Sequence, residues 1–140
     1  MDADQIFVNY GDQAKKMVKE LLSKIKIEDE INKDQLVALK PNLIKASKSK
    51  EGATTDPNLV SGIIEYLQDK GFKNLIIMEG SWVGADTDHV FQYCGYQSLS
   101  DKYDVPLYNL QNDNYITKTY QGMKIDIAET ALKADYIINL

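Results

Sequence analysis

Lys40 stands directly after the apolar run Leu36, Val37, Ala38 and Leu39, and directly before Pro41. Packing gives a lysine little reason to be there. With Asn42 two positions on, it offers an ammonium and an amide at the end of a buried segment. Thr54 and Thr55 precede Asp56 and Pro57, a pair suited to opening a helix, so two hydroxyls fall beside free backbone N–H groups. Glu79, Gly80 and Ser81 follow a second apolar run, and Asn109, Gln111, Asn112 and Asp113 follow a third. Asn139 lies at the end of a last one. An ammonium, a carboxylate, amides, hydroxyls and backbone donors together suit a small anionic or polyoxygenated ligand. The same residue types occur wherever strands run out into solvated loops, and position alone leaves both readings open.

Other clusters carry less chemistry. All 16 basic residues are lysines, so no guanidinium fork is available for a carboxylate or phosphate. The loop from Glu79 to Gly84 matches neither a Walker loop nor the dinucleotide fingerprint. His89 is the only histidine, and Cys94 lies five residues on, a spacing that separates the two on a helix. No metal site is expected, and no catalytic residue can be named. Cys94, among Phe91, Tyr93 and Tyr96, is expected to pack as a small hydrophobe, with Tyr93, Tyr96 and Tyr103 filling the core near the surface. Lys45, Lys48 and Lys50 could meet an anion, but a solvated loop is the expected reading.

The elements that must hold these residues alternate. Residues 6–9 read as an opening strand. Met17, Val18, Leu21, Leu22 and Ile25 recur at helical spacing. Residues 36–39 and 75–78 read as buried strands, separated by a helix that Thr55 or Asp56 caps and Gly71 closes. Short helices are expected over 87–93 and 98–103, a strand over 105–110, a hairpin over 115–127 turning at Gln121 and Gly122, a helical turn over 128–133 and a final strand over 135–140. The pattern predicts a single α/β domain over residues 1–140, with a mainly parallel sheet and helices on both faces in a Rossmann-like, three-layer arrangement. Ligands of such sheets bind beyond the carboxyl ends of the strands, where the residues above fall.

A chain of 140 residues with 44% hydrophobic and 26% charged residues is sized and composed for one folded domain. One cysteine excludes an internal disulfide or a four-cysteine cluster within it. A net charge of −5 argues against nucleic-acid binding. No apolar run has the length of a membrane span, and no signal-peptide pattern is present, so a cytoplasmic location is expected. The apolar ending Ile137, Ile138, Asn139, Leu140 leads to the expectation that the chain is the N-terminal part of a longer protein.

Several stretches, taken in order, resemble the "domain of unknown function 362" family of bacteria and archaea. They are Val37 to Leu43 with its Lys40-Pro41-Asn42 step, Ala53 to Pro57, Gly71 to Ser81, Phe91 to Tyr96, and Lys133 to Leu140. The resemblance implies that Lys40, Asn42, Thr54, Thr55, Glu79, Ser81 and Asn139 bind ligand. It also implies a longer parent protein, in which many members carry iron–sulfur cluster motifs downstream, and a distant likeness to nickel-pincer lactate racemases. Family members often have histidine before Pro57, where this chain has Asp56. Three functions follow as expectations. One is the ligand-binding part of an iron–sulfur redox protein, partnered by its own C-terminal domain and with the cluster outside this chain. The others are an isomerase or racemase domain acting on a small hydroxy acid, and a non-catalytic module for a small anion.

Overall fold

A computed structural model describes residues 5–140. Its centre is a four-stranded parallel sheet of β1 (Val37–Lys40), β2 (Leu75–Glu79), β3 (Leu107–Asn109) and β6 (Tyr136–Asn139), in the order β3-β2-β1-β6. A separate antiparallel hairpin pairs β4 (Tyr115–Tyr120) with β5 (Met123–Ala128). The helices are α1 (Ala14–Ile25), α2 (Pro57–Asp69), α3 (Thr87–Tyr93), α4 (Tyr96–Tyr103) and α5 (Glu129–Lys133). The α/β class, the parallel sheet and the hairpin agree with the sequence reading.

Central strands of a parallel sheet are covered on both faces, which is why β1 and β2 read as unbroken apolar runs. Val37, Leu39, Leu75 and Ile77 enter the main core with residues of α1 to α4, while Ala38, Ile76 and Met78 face the other side. There the cover is thin, with Ala131 of α5 and Ala134 packing beside Leu36 and Leu110. Tyr108 and Ile137, on the two outer strands, are each 43% exposed.

Local chemistry sets the element ends. Asp56 caps α2, its carboxylate accepting from the Asn58 N–H at 2.8 Å, with Pro57 at the first helical position. Gly95, with φ of 83°, separates α3 from α4, so α4 begins at Tyr96 rather than at the expected residue 98. The strand expected over 105–110 narrows to Leu107–Asn109. Pro106 has no N–H for the ladder, although its carbonyl accepts from the Ile77 N–H at 2.9 Å.

One strand expectation and two side-chain expectations are corrected. Residues 6–9 form no strand, and Ile6 is 89% exposed, because the sheet's edges are β3 and β6 and neither pairs with this segment. Tyr93 lies on the solvent side of α3, while Tyr96 is fully buried. Cys94 is half-buried, and its thiol donates to the Ser47 carbonyl at 3.3 Å, so it acts as a polar tie as well as a packing group.

Two contacts hold α1 on the sheet's helical layer. The first is steric. A Cβ on Gly62 of α2 would lie 2.6 Å from Val18 Cγ1 and 2.9 Å from the Lys15 carbonyl oxygen. The second is ionic. Glu65 of α2 pairs with Lys15 at 2.8 Å and Lys19 at 2.6 Å, and accepts from the Tyr103 hydroxyl of α4. The hydrogen bonds from Lys15, Lys19 and Tyr103 hold the Glu65 carboxyl at about 2, and Lys70 with Tyr66 does the same for Glu28.

Replacing Gly62 by alanine sets helix propensity, worth about 1 kcal/mol in favour of alanine, against an overlap with α1 backbone that cannot swing aside. The overlap dominates, and a net loss of about 1–3 kcal/mol is expected as a lower urea midpoint. An unchanged or raised midpoint would show that α1 and α2 are not this close.

Glu65 and Glu28 titrate below the ordinary 4.5 in the folded chain, so their contribution is complete above pH 4.5 and is lost as pH falls toward 2. The stability gap between the parent and Glu65→Gln should therefore narrow across that window. A gap that stays constant with pH contradicts the assignment.

Candidate functional site

The sheet's carboxyl edge is built by the residues that end β1, β2 and β6 and the loops that follow. β1, β2 and β3 step in one direction, and β6 returns to the other side of β1. The strand order thus reverses between β1 and β6, where ligands of open α/β sheets usually lie. Here that position is bridged by the chain itself. The Leu140 N–H donates to the Lys40 carbonyl at 3.0 Å. The Thr55 hydroxyl donates to the Leu140 carbonyl at 3.3 Å and accepts from the Asn42 N–H at 2.9 Å.

The open space lies one strand over. A cleft of about 410 Å³ between the ends of β1 and β2 is lined by Lys40, Asn42, Leu43, Ile44, Glu79, Gly80 and Trp82. Its volume falls within the usual range for small-molecule sites, roughly 300–1,000 Å³. At its base Lys40 Nζ meets Glu79 Oε2 at 2.9 Å. The Glu79 side chain is only 6% exposed and that of Lys40 34%. The other Glu79 oxygen accepts from the Gly80 N–H at 2.7 Å. A carboxylate this far from water requires compensation, and the ammonium with the backbone N–H supplies it. Lys40 therefore has a structural partner that sequence position did not reveal.

The predicted site residues separate into groups. Lys40, Asn42 and Glu79 share the cleft. Thr54 and Thr55 line a second cavity, of about 370 Å³, with Lys48, Lys50 and Asp56. Their hydroxyls are engaged by backbone: Thr54 donates to the Ser47 carbonyl at 3.2 Å, and Thr55 makes the bridge already described. The Thr55 carbonyl accepts from the buried Tyr96 hydroxyl at 3.0 Å, and burial pushes that phenol's pKa up. Ser81 is buried and donates to the Leu43 carbonyl at 2.7 Å, tying the β1 and β2 loops together. Asn139 is exposed and pairs in register with Lys40 across β1 and β6.

Trp82 and Gln111 are the residues that sequence reasoning missed as a pair. Trp82 lines the cleft and is 71% exposed. Gln111, after β3, fastens the loop that carries it, and nothing local in the sequence links residues so far apart. A larger cavity of about 590 Å³ runs along α1, but Lys15 and Lys19 on its wall are engaged by Glu65. Among the described residues, no group of three or more histidine, cysteine, aspartate or glutamate side chains could hold a metal ion. Also among them, no helix is long and apolar enough to cross a membrane.

The Lys40–Glu79 pair can be separated from ligand binding by a double-mutant cycle. Lys40→Met leaves the buried Glu79 carboxylate with the Gly80 N–H alone to compensate it and is expected to cost about 1–3 kcal/mol. Adding Glu79→Gln removes the stranded charge, so the double variant should be clearly more stable than the two single losses added together. Strict additivity in urea unfolding would mean the pair is not formed in solution.

Comparison with known proteins bears on the same residues. A curated relative, the thylakoid-associated protein sll1697 of Synechocystis sp. (strain ATCC 27184 / PCC 6803 / Kazusa), is 27% identical over 104 residues, 74% of this chain and 32% of that protein. The chain thus spans about a third of that relative's length. No solved structure matches significantly. The family model described as "Domain of unknown function (DUF362)" matches residues 37–140, from the first residue of β1 through the whole sheet and its cleft, and the chain belongs to that family.

Proposed function

We propose that this chain is a ligand-binding α/β domain that takes a small anion, a carboxylate or a phosphate, in the cleft between β1 and β2. The observation that carries the reading is the held ammonium of Lys40. A lysine has three N–H donors, and Glu79 occupies one of them at 2.9 Å. Among the described residues Glu79 is the only side chain that bonds this ammonium, so its other donors are open to a ligand, on a head group already fixed, and little freedom is lost on binding. The Asn42 side chain lines the same cleft; its Nδ2 donates to the Ala53 carbonyl at 3.5 Å, which leaves its oxygen and second N–H for a ligand. Leu43 and Ile44 supply apolar cover.

The redox reading extends this one beyond the chain. A four-iron cluster takes four thiolates, and this sequence has Cys94 alone. The residues here do not fit a cluster, and no step of the binding proposed above passes through one. In the redox reading the cluster belongs to a further part of a longer polypeptide, and this domain presents the ligand to it. Its support is the family resemblance and the short share of the relative that this chain spans. Iron and acid-labile sulfide assays on the anaerobically purified parent gene product test it. Their absence removes the redox reading and leaves the anion site standing.

The anion site has its own test, because Trp82 is the only tryptophan and lines the cleft. Titrating inorganic phosphate, acetate and L-lactate while following tryptophan emission should give a saturable change with at least one probe. The Lys40→Met, Glu79→Gln double variant, which strands no charge, should weaken that binding at least tenfold. Equal binding by the double variant, or no saturable change with any probe, overturns the proposal.

A further inference from the structure

Trp82 is 71% exposed, and the main chain of the loop that carries it is held from several directions. The Trp82 N–H donates to the Ile44 carbonyl at 3.0 Å, joining it to the β1 loop. The Ala85 N–H donates to the Trp82 carbonyl at 2.9 Å, closing a turn. Gln111 grips both flanks of that turn. Its Nε2 donates to the Ser81 carbonyl at 2.9 Å and to the Ala85 carbonyl at 3.1 Å. Its Oε1 accepts from the Thr87 hydroxyl at 2.7 Å and, at 3.2 Å, from the Thr87 N–H. Thr87 is fully buried, and its hydroxyl oxygen accepts from the Ser81 N–H at 2.9 Å. One amide side chain thus joins the two ends of the 81–85 loop to the start of α3.

From this arrangement we infer that Trp82 is a preorganised stacking platform, and that the anion taken at Lys40 carries a planar, conjugated group: an aryl carboxylate rather than a saturated one. The inference deepens the anion-binding reading and rests on it. Lys40 fixes one end of the ligand by charge, and the indole covers the other by its π-face. Flat rings stack on an indole with a gain beyond the area they bury. Because Gln111 and the Ile44 carbonyl hold the turn before any ligand arrives, that gain is not consumed in ordering the loop. Gln111 is accordingly a positioning residue, acting on the ligand through Trp82.

A matched pair of probes isolates the platform. Benzoate and cyclohexanecarboxylate carry the same charge and similar bulk, and only benzoate is flat and aromatic. Chemical shifts of the backbone and of the single indole N–H report binding to the whole chain. Benzoate should bind roughly three- to tenfold tighter than cyclohexanecarboxylate. Trp82→Ala should reduce that ratio to below about twofold, Trp82→Phe should retain most of it, and Gln111→Ala should lower it without unfolding the chain. Equal binding of both probes, with both weakened by the Lys40→Met, Glu79→Gln variant, keeps the anion site and overturns the platform. Binding of neither probe overturns both readings. A benzoate preference that survives in Trp82→Ala places the aromatic contact elsewhere and also overturns this inference.

Discussion

Glu79 ends β2 with a carboxylate almost wholly removed from water, and an ion so placed has to be compensated where it stands. Lys40, at the end of the neighbouring strand, and the Gly80 N–H do this. The requirement reaches outward from there. β1 and β2 have to keep their register, with Leu39 opposite Ile77, for the two head groups to meet over the carboxyl edge. The loop after β2 has to turn at Gly80 so that its N–H points back at the carboxylate. The pair contributes a position more than a large net stability, because two desolvated ions recover in attraction about what they lost in hydration. What the fold gains is a cation with a fixed address.

The polar residues around this pair divide by what they bond. Thr54 donates its hydroxyl to a main-chain carbonyl within its own connection, and Thr55 and Ser81 donate theirs to carbonyls of other segments. Loops packed over a sheet edge bury carbonyls that no ladder satisfies, and short hydroxyl side chains are suited to reach them. These residues therefore read in sequence as ligand groups and in the structure act first as loop ties. Lys40, Asn42 and Glu79 differ in lining open space.

What was legible in the sequence follows the range of the interactions that decide it. β1 and β2 declare themselves because burial on both faces demands an unbroken apolar run. α2 declares itself because its cap and first turn, Asp56 and Pro57, are local. The hairpin shows through the alternation of Met123, Ile125 and Ile127 and the Gln121, Gly122 turn, where both residues have positive φ. Residues 6–9 misled because a short apolar run specifies a strand only where a sheet edge receives it, and that is a long-range fact. Lys40 and Glu79 were found by strand position, although their pairing was not. Trp82 carried no signal at all: an aromatic in a loop has no period, and its support comes from Gln111, past α3, α4 and β3 in the chain.

Charge then decides how such a site can recognise an anion. The chain carries a net −5, and the cation in the cleft is already partnered by a carboxylate, so no broad positive field gathers anions toward it. Recognition has to come from contact: the free donors of Lys40, the Asn42 amide, and the apolar and aromatic walls. Contact terms of this kind discriminate by shape, and salt screens them less than it screens long-range attraction. A surface rich in lysine would draw in any phosphate or carboxylate. In the binding proposed for this cleft, a single ammonium held by a buried glutamate, with an exposed tryptophan on the same lining, would select on what the rest of the ligand looks like, and that asymmetry is the argument for one class of ligand over any anion.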